Sequence, residues 1–162
     1  MTGYIIALVA LLVLSSFFSA TETAFTSFNK IKAKNLADDD NKAAEIVLEL
    51  EDKYDKLLST ILVGNNIANI CLTSIATVLC IKLYGEHIGA TIATVAVTVT
   101  VLIFGEIAPK TLAKDYADGF VLFAARFVNF LVVVLTPLTI VFHGLQRLLQ
   151  LMFHNDADKS FN

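Results

Sequence analysis

Three groups of polar side chains interrupt long apolar runs in this sequence, and every one of them presents oxygen. In the first, Ser15, Ser19, Glu22 and Thr26 follow at intervals of four, three and four, which lines them along one face of a helix. In the second, "GNNIANICLTS", Asn65 and Asn69 stand at i, i+4, with Thr73 one turn further on and Asn66 alongside. In the third, "VLIFGEIAPKTLA", Gly105 and Glu106 end an apolar run, and Pro109 has no N–H to offer the Gly105 carbonyl four residues back. That carbonyl is predicted to be free for another partner, with Gly105 and Pro109 marking a break in the helix. Hydroxyl, carboxamide, carbonyl and carboxylate oxygens suit a hard cation such as magnesium or calcium. The soft ligands are not grouped: Cys71 and Cys80 are the only cysteines, and the histidines are scattered at 87, 143 and 154.

Blander readings compete at several of these positions. Ser15 and Thr26 are read as helix-helix contacts, the commoner role of hydroxyls in apolar helices. Glu106 taken alone reads equally well as an interfacial partner of Lys110, since Glu before Lys at i, i+4 is the favourable order. Three carboxamides in five residues, flanked by apolar sequence, are harder to leave facing lipid. Catalysis is not expected: there is no HExxH pair, no nucleophile with a base at a recognisable spacing, and no nucleotide loop.

These residues must be positioned by membrane helices. A chain of 162 residues that is 56% hydrophobic and 17% charged, with a mean hydropathy of +0.71, lies outside the soluble globular range. Its net charge of −3 offers no basic face, so nucleic acid is not an expected partner; membrane lipid is. Lengths near the ~20 residues that cross a ~30 Å hydrocarbon core place spans at about 4–28, 57–83 and 88–106. Cys71 and Cys80, nine residues apart on one helix, cannot bridge and are read as two buried thiols. Lys30, Lys32, Lys34, Lys42, Lys53 and Lys56 fall between the first two spans, whereas only Lys82 lies near the next turn. The positive-inside rule therefore puts that loop in the cytoplasm and the N-terminus outside. Within the loop, one amphipathic helix lying at the interface is predicted, capped by Asp40 and carrying Ile46, Leu50, Tyr54 and Leu57 on its apolar face.

A fourth apolar stretch, Phe120 to Phe153, has 34 residues and as one helix would measure about 51 Å, too long for the bilayer. Pro137 is predicted to divide it into helices at about 115–136 and 138–153. If both halves stay near the cytoplasmic leaflet the chain crosses three times and its C-terminus is cytoplasmic; if the stretch crosses once, the C-terminus is outside.

The three motifs, "FFSATETAFTS", "LVGNNIANI" and "FGEIAPKTLA", in this order and spacing, resemble the transmembrane domain of the CNNM/CorC magnesium transporters. The resemblance covers Tyr4 to Phe153, taken as one domain over 1–153. It implies an all-α membrane fold of three transmembrane helices plus a bent juxtamembrane pair, a homodimer in the plasma membrane, bound Mg2+, and Na+ implicated in driving Mg2+ export. Carried over position by position, it implies magnesium ligands at Ser19, Asn65, Asn69 and Glu106. Glu22, Thr23, Asn66 and the Gly105 carbonyl are further positions for the cation path or a sodium site. The family's membrane domain is normally followed by CBS modules that bind ATP; here "HNDADKSFN" follows Phe153, so residues 154–162 are expected to be a truncated tail. A magnesium-binding sensor or scaffold that regulates another transporter uses the same ligands and stays open as the alternative.

Overall fold

The computed structural model describes residues 2–160, and its regular elements are all helical. Helix α1 (Thr2–Ser27) is followed by two short helices, α2 (Lys30–Asp38) and α3 (Lys42–Asp52), and then by the 31-residue α4 (Tyr54–Tyr84). Helix α5 (Glu86–Thr100) runs through a π-helical turn (Val101–Ile107) into α6 (Ala108–Asp115), and α7 (Ala117–Val134) and α8 (Thr136–Ser160) complete the chain. Among the described residues four units are long and apolar enough to cross a membrane: α1, α4, the continuous unit Glu86–Asp115, and α7.

Small residues set the close approaches. Gly85 adopts φ +91° at the α4–α5 turn, a conformation that L side chains rarely take. A Cβ on Gly89 would stand 2.6 Å from the Cys80 carbonyl oxygen, so α5 leans directly on the α4 backbone. Across the other face of α4, Gly64 receives the Phe18 ring, whose Cζ lies 2.6 Å from where a Cβ would be. The densest packing gathers Phe18 and Phe25 of α1, Val47 and Leu50 of α3, Leu57 and Ile61 of α4, and the Val121–Ala124–Val128 face of α7. Elsewhere the long helices turn Ile5, Val9, Val13, Ile70, Val95 and Val99 outward, as lipid-facing surfaces do.

Several expectations from the sequence change. The loop helix is two helices: Asp40 does not cap one but ends α2, with φ 65°. The Asp40 N–H reaches the Ala37 carbonyl and the Asn41 N–H reaches Leu36, the paired bonds of a Schellman stop. Asn41 is the cap of α3, its side chain accepting from the Ala44 N–H at 3.2 Å. A further stop at Lys53 assigns Tyr54 and Leu57 to α4. Helix α3 does not lay its apolar face on the lipid interface; Val47 and Leu50 are buried in the core shared with α7. Cys71 is exposed rather than buried, and Cys80 is half-buried. The third helix is not broken at Gly105 and Pro109; it is widened there and continues to Asp115.

The division before Pro137 holds, at Leu135, with helices at 117–134 and 136–160 rather than 115–136 and 138–153. Pro137 sits in the first turn of α8, where a missing N–H costs nothing. The expected tail is helical to Ser160, and residues 161–162 lie outside the described residues.

Candidate cation site

The site forms where α1, α4 and the π turn meet. Ser15 is fully buried, and its Oγ lies 2.9 Å from Asn65 Oδ1 and 2.8 Å from Asn69 Oδ1. The i, i+4 spacing of the two asparagines on α4 aims both carboxamides at one point on α1. A hydroxyl has one proton, so it donates to one of these oxygens at a time. Three oxygens therefore converge on a point where only one proton is shared among them, a cluster of lone pairs that a cation would relieve.

The π turn supplies the third side. Gly105 is buried, and a Cβ there would stand 3.4 Å from Ser15 Oγ and 3.3 Å from Val101 Cγ1, so glycine lets this backbone come up against the hydroxyl. The register in this turn is i→i+5: the Ala108 N–H bonds the Ile103 carbonyl. In that register the carbonyl waiting for Pro109 is Phe104's, not Gly105's. Ser16 answers it from α1, its Oγ 2.5 Å from the Phe104 oxygen and 2.9 Å from its own helix's Leu12 carbonyl. Proline's missing donor is thus replaced by a side chain from the neighbouring helix, which ties the wide turn to α1.

The structure distributes the sequence-predicted residues unevenly. Asn65 and Asn69 meet as expected, but the hydroxyl between them belongs to Ser15, one turn before Ser19 on the same stripe. Ser19 is itself buried at 2% exposure. Glu106 is half-buried on the π turn beside Gly105. It is not paired with Lys110: among the described residues the ion pairs are Lys30–Glu51 and Lys32–Asp118. Glu22 and Thr23 are half-buried further along α1, and Thr26 is exposed and bonded to the Thr23 carbonyl at 2.8 Å. Asn66 faces outward, away from the Asn65–Asn69 pair. Behind Asn69, Thr73 donates to the Asn69 backbone carbonyl at 2.8 Å.

Among the described residues no three His, Cys, Asp or Glu side chains gather to hold a metal. The cluster at Ser15 is built instead from neutral oxygens, with a single carboxylate on the adjoining turn. Residue type alone makes Ser15 an ordinary helix contact, and its place in the 15–19–22–26 stripe is the signal that points beyond that. Ser16 carries no such signal, because its role depends on the register across the helices.

Known proteins share this sequence over most of its length. Residues 6–160 match the family model described as the Cyclin M (CNNM) transmembrane N-terminal domain. A UPF0053 protein of Haemophilus influenzae is 41% identical over 133 residues, covering 82% of this chain and 31% of that protein. The UPF0053 inner membrane protein YfjD of Escherichia coli is 33% identical over 145 residues, covering 90% of this chain and 34% of its own length. A putative DUF21 domain-containing chloroplastic protein of Arabidopsis thaliana is 35% identical over 130 residues, covering 80% of this chain and 19% of that protein. The chain spans about a third of the length of the two bacterial relatives. With the match running from the first apolar helix to the end of α8, this chain belongs to the CNNM family, as its transmembrane domain.

Proposed function

We propose that this domain moves Mg2+ across the cytoplasmic membrane by alternating access to a site between α1, α4 and the π turn. The observation that carries the reading is the convergence of Ser15 Oγ with Asn65 and Asn69 Oδ1, at 2.9 and 2.8 Å, against the Gly105 backbone. Mg2+ accepts only oxygen ligands in near-octahedral geometry and gives up water reluctantly. Neutral oxygens alone compensate dehydration poorly, and Glu106, on the turn that also carries Gly105, supplies the negative charge. Ser19, one turn along α1, is placed to take over a ligand position as the ion moves, with Glu22 and Thr23 beyond it on the path. The π turn is the moving part of this mechanism. Its backbone is already out of α register, so its carbonyls exchange partners at lower cost than those of a regular helix.

The membrane arrangement that goes with this reading has three spans, α7 and α8 as the juxtamembrane pair, and the N-terminus outside. It agrees with the lysines of α2 and α3 and with the α3–α7 packing that keeps α7 close to that basic loop. Export driven by Na+ and operation as a homodimer belong to the same proposal. A non-transporting Mg2+ sensor needs the same ligands and is separated from it by flux.

The deciding experiment is reconstitution in vesicles with a trapped Mg2+ indicator. Flux that is lost in Asn69→Ala and Glu106→Gln supports transport through this site. Mg2+ binding without flux in the parent protein identifies a sensor, and flux unchanged in both variants removes the site from the mechanism.

A further inference from the structure

A groove of about 600 Å3 runs where α1, the π turn, α6 and α7 meet, walled by Val13, Phe17, Phe104, Pro109, Leu112 and Phe120. This volume falls within the range of small-molecule sites, roughly 300–1,000 Å3. Tyr116, 70% exposed, also lines it. The same Tyr116 lines a second recess, of about 320 Å3, whose other walls include Lys114, Asp115, Asn29 and Asp118. An apolar groove and a polar recess therefore share one aromatic wall. That is the outline of an amphiphile, with the aromatic at the boundary where interfacial tyrosines sit.

We propose that this groove holds one phospholipid with a primary-amine headgroup, its acyl chain along Phe104 and Leu112 and its headgroup between Lys114 and Asp115. Charge decides the headgroup. Asp118 is already engaged, accepting the Asn29 N–H at 2.6 Å and facing Lys32 at 3.7 Å. Lys114 and Asp115 take part in no ion pair among the described residues, and both are exposed. They leave one cation and one anion, consecutive in sequence, on the wall of the polar recess. An ethanolamine phospholipid brings the complementary pair in one small group: a phosphate for the Lys114 ammonium and an ammonium with three donors for the Asp115 carboxylate. A choline headgroup has no N–H to donate, and an anionic headgroup without an amine leaves Asp115 unmatched. A second copy of the chain would have to present both charges at this spacing on a helix that also fills the apolar channel.

The sequence contains no tryptophan, so Phe104→Trp places a single indole in the groove; Leu112→Trp serves as a second reporter there. Val95→Trp, on the outward face of α5, reports ordinary lipid contact. Each variant is reconstituted in vesicles of phosphatidylcholine and phosphatidylethanolamine in which one or the other lipid carries brominated chains, and indole quenching is measured. The two groove reporters are expected to favour the ethanolamine lipid by about three- to tenfold, the range that two exposed ion pairs supply. Lys114→Ala and Asp115→Asn each bring that preference toward one, while the α5 reporter shows none throughout. Equal quenching by both lipids at the two groove reporters overturns the proposal. So does an absence of quenching there; disulfide cross-linking of two chains through Leu112→Cys, in a protein with Cys71 and Cys80 replaced by alanine, would then assign the groove to a second copy.

Discussion

Replacing Ser15 and Ser19 one at a time separates the oxygen cluster at Ser15 from the ligand set that the family resemblance implies. Ser15→Ala removes the hydroxyl that lies between the Asn65 and Asn69 side chains, leaving two carboxamide oxygens facing each other with no proton between them. A lost buried hydrogen bond costs about 0.5–1.5 kcal/mol net, and an acceptor left unsatisfied costs about 1–3 kcal/mol. The two asparagine amides can turn to pair with each other, so a loss of about 1–2 kcal/mol without metal is expected. For a chain of this size that lowers the melting temperature by roughly 2–8 °C. The larger effect is on metal linkage. If the proposed function holds, Mg2+ at one hundred times its dissociation constant should stabilise the parent by about 2.7 kcal/mol, or roughly 5–11 °C. Ser15→Ala is expected to lose most of that increment, and Ser19→Ala only part of it. Melting followed by helical circular dichroism, with and without MgCl2 after chelator treatment, reads both quantities. A full Mg2+ increment in Ser15→Ala, with none in Ser19→Ala, would refute the placement of the ion at the Ser15 cluster.

Other outcomes follow from single contacts. Gly89→Ala drives a Cβ against the Cys80 backbone carbonyl, which cannot yield as a side chain would, so denaturation should show a loss at or above the ~1–3 kcal/mol of ordinary overpacking; Gly119→Ala, in open space, should show none. Gly64→Ala displaces the 3%-exposed Phe18 ring and should cost about 1–3 kcal/mol in the same assay. Gly105→Ala places a methyl 3.4 Å from Ser15 Oγ and should weaken Mg2+ binding in calorimetry more than it lowers stability. The Glu51 carboxylate, bonded to Lys30 at 2.9 Å, raises that ammonium above its ordinary value of 10.5, by hydrogen bonding first and charge second. Its contribution is therefore whole below pH 10.5 and is lost as pH rises through the raised value, so the stability difference between parent and Glu51→Gln should close in that alkaline window.

How far the sequence reveals this molecule depends on whether a feature is local. Asn65 and Asn69 are legible because i, i+4 spacing on an apolar helix fixes a common direction before any neighbour is known. The division at Leu135 is legible because Pro137 constrains its own turn. Pro109 reads correctly as a lost donor, but which carbonyl loses it depends on an i→i+5 register that only the packing against α1 reveals. Asp40 reads as a cap by residue type, yet its φ of 65° is set by the Schellman bonds to Leu36 and Ala37. The apolar stripe of α3 is evident in the sequence; that α7, and not lipid, receives it is a property of the tertiary fold.

The contact between the Asn29 N–H and Asp118 has a mechanical meaning. It rivets the corner that follows α1 to the first turn of α7, at 2.6 Å, with Lys32 closing on the same carboxylate. Ser15 lies twelve residues before the end of α1, about 18 Å along a stiff rod. A tilt of α7 is therefore passed to α1, the helix that carries the Ser15 hydroxyl, at this corner as well as through the Phe17–Phe127 ring contact two residues from Ser15.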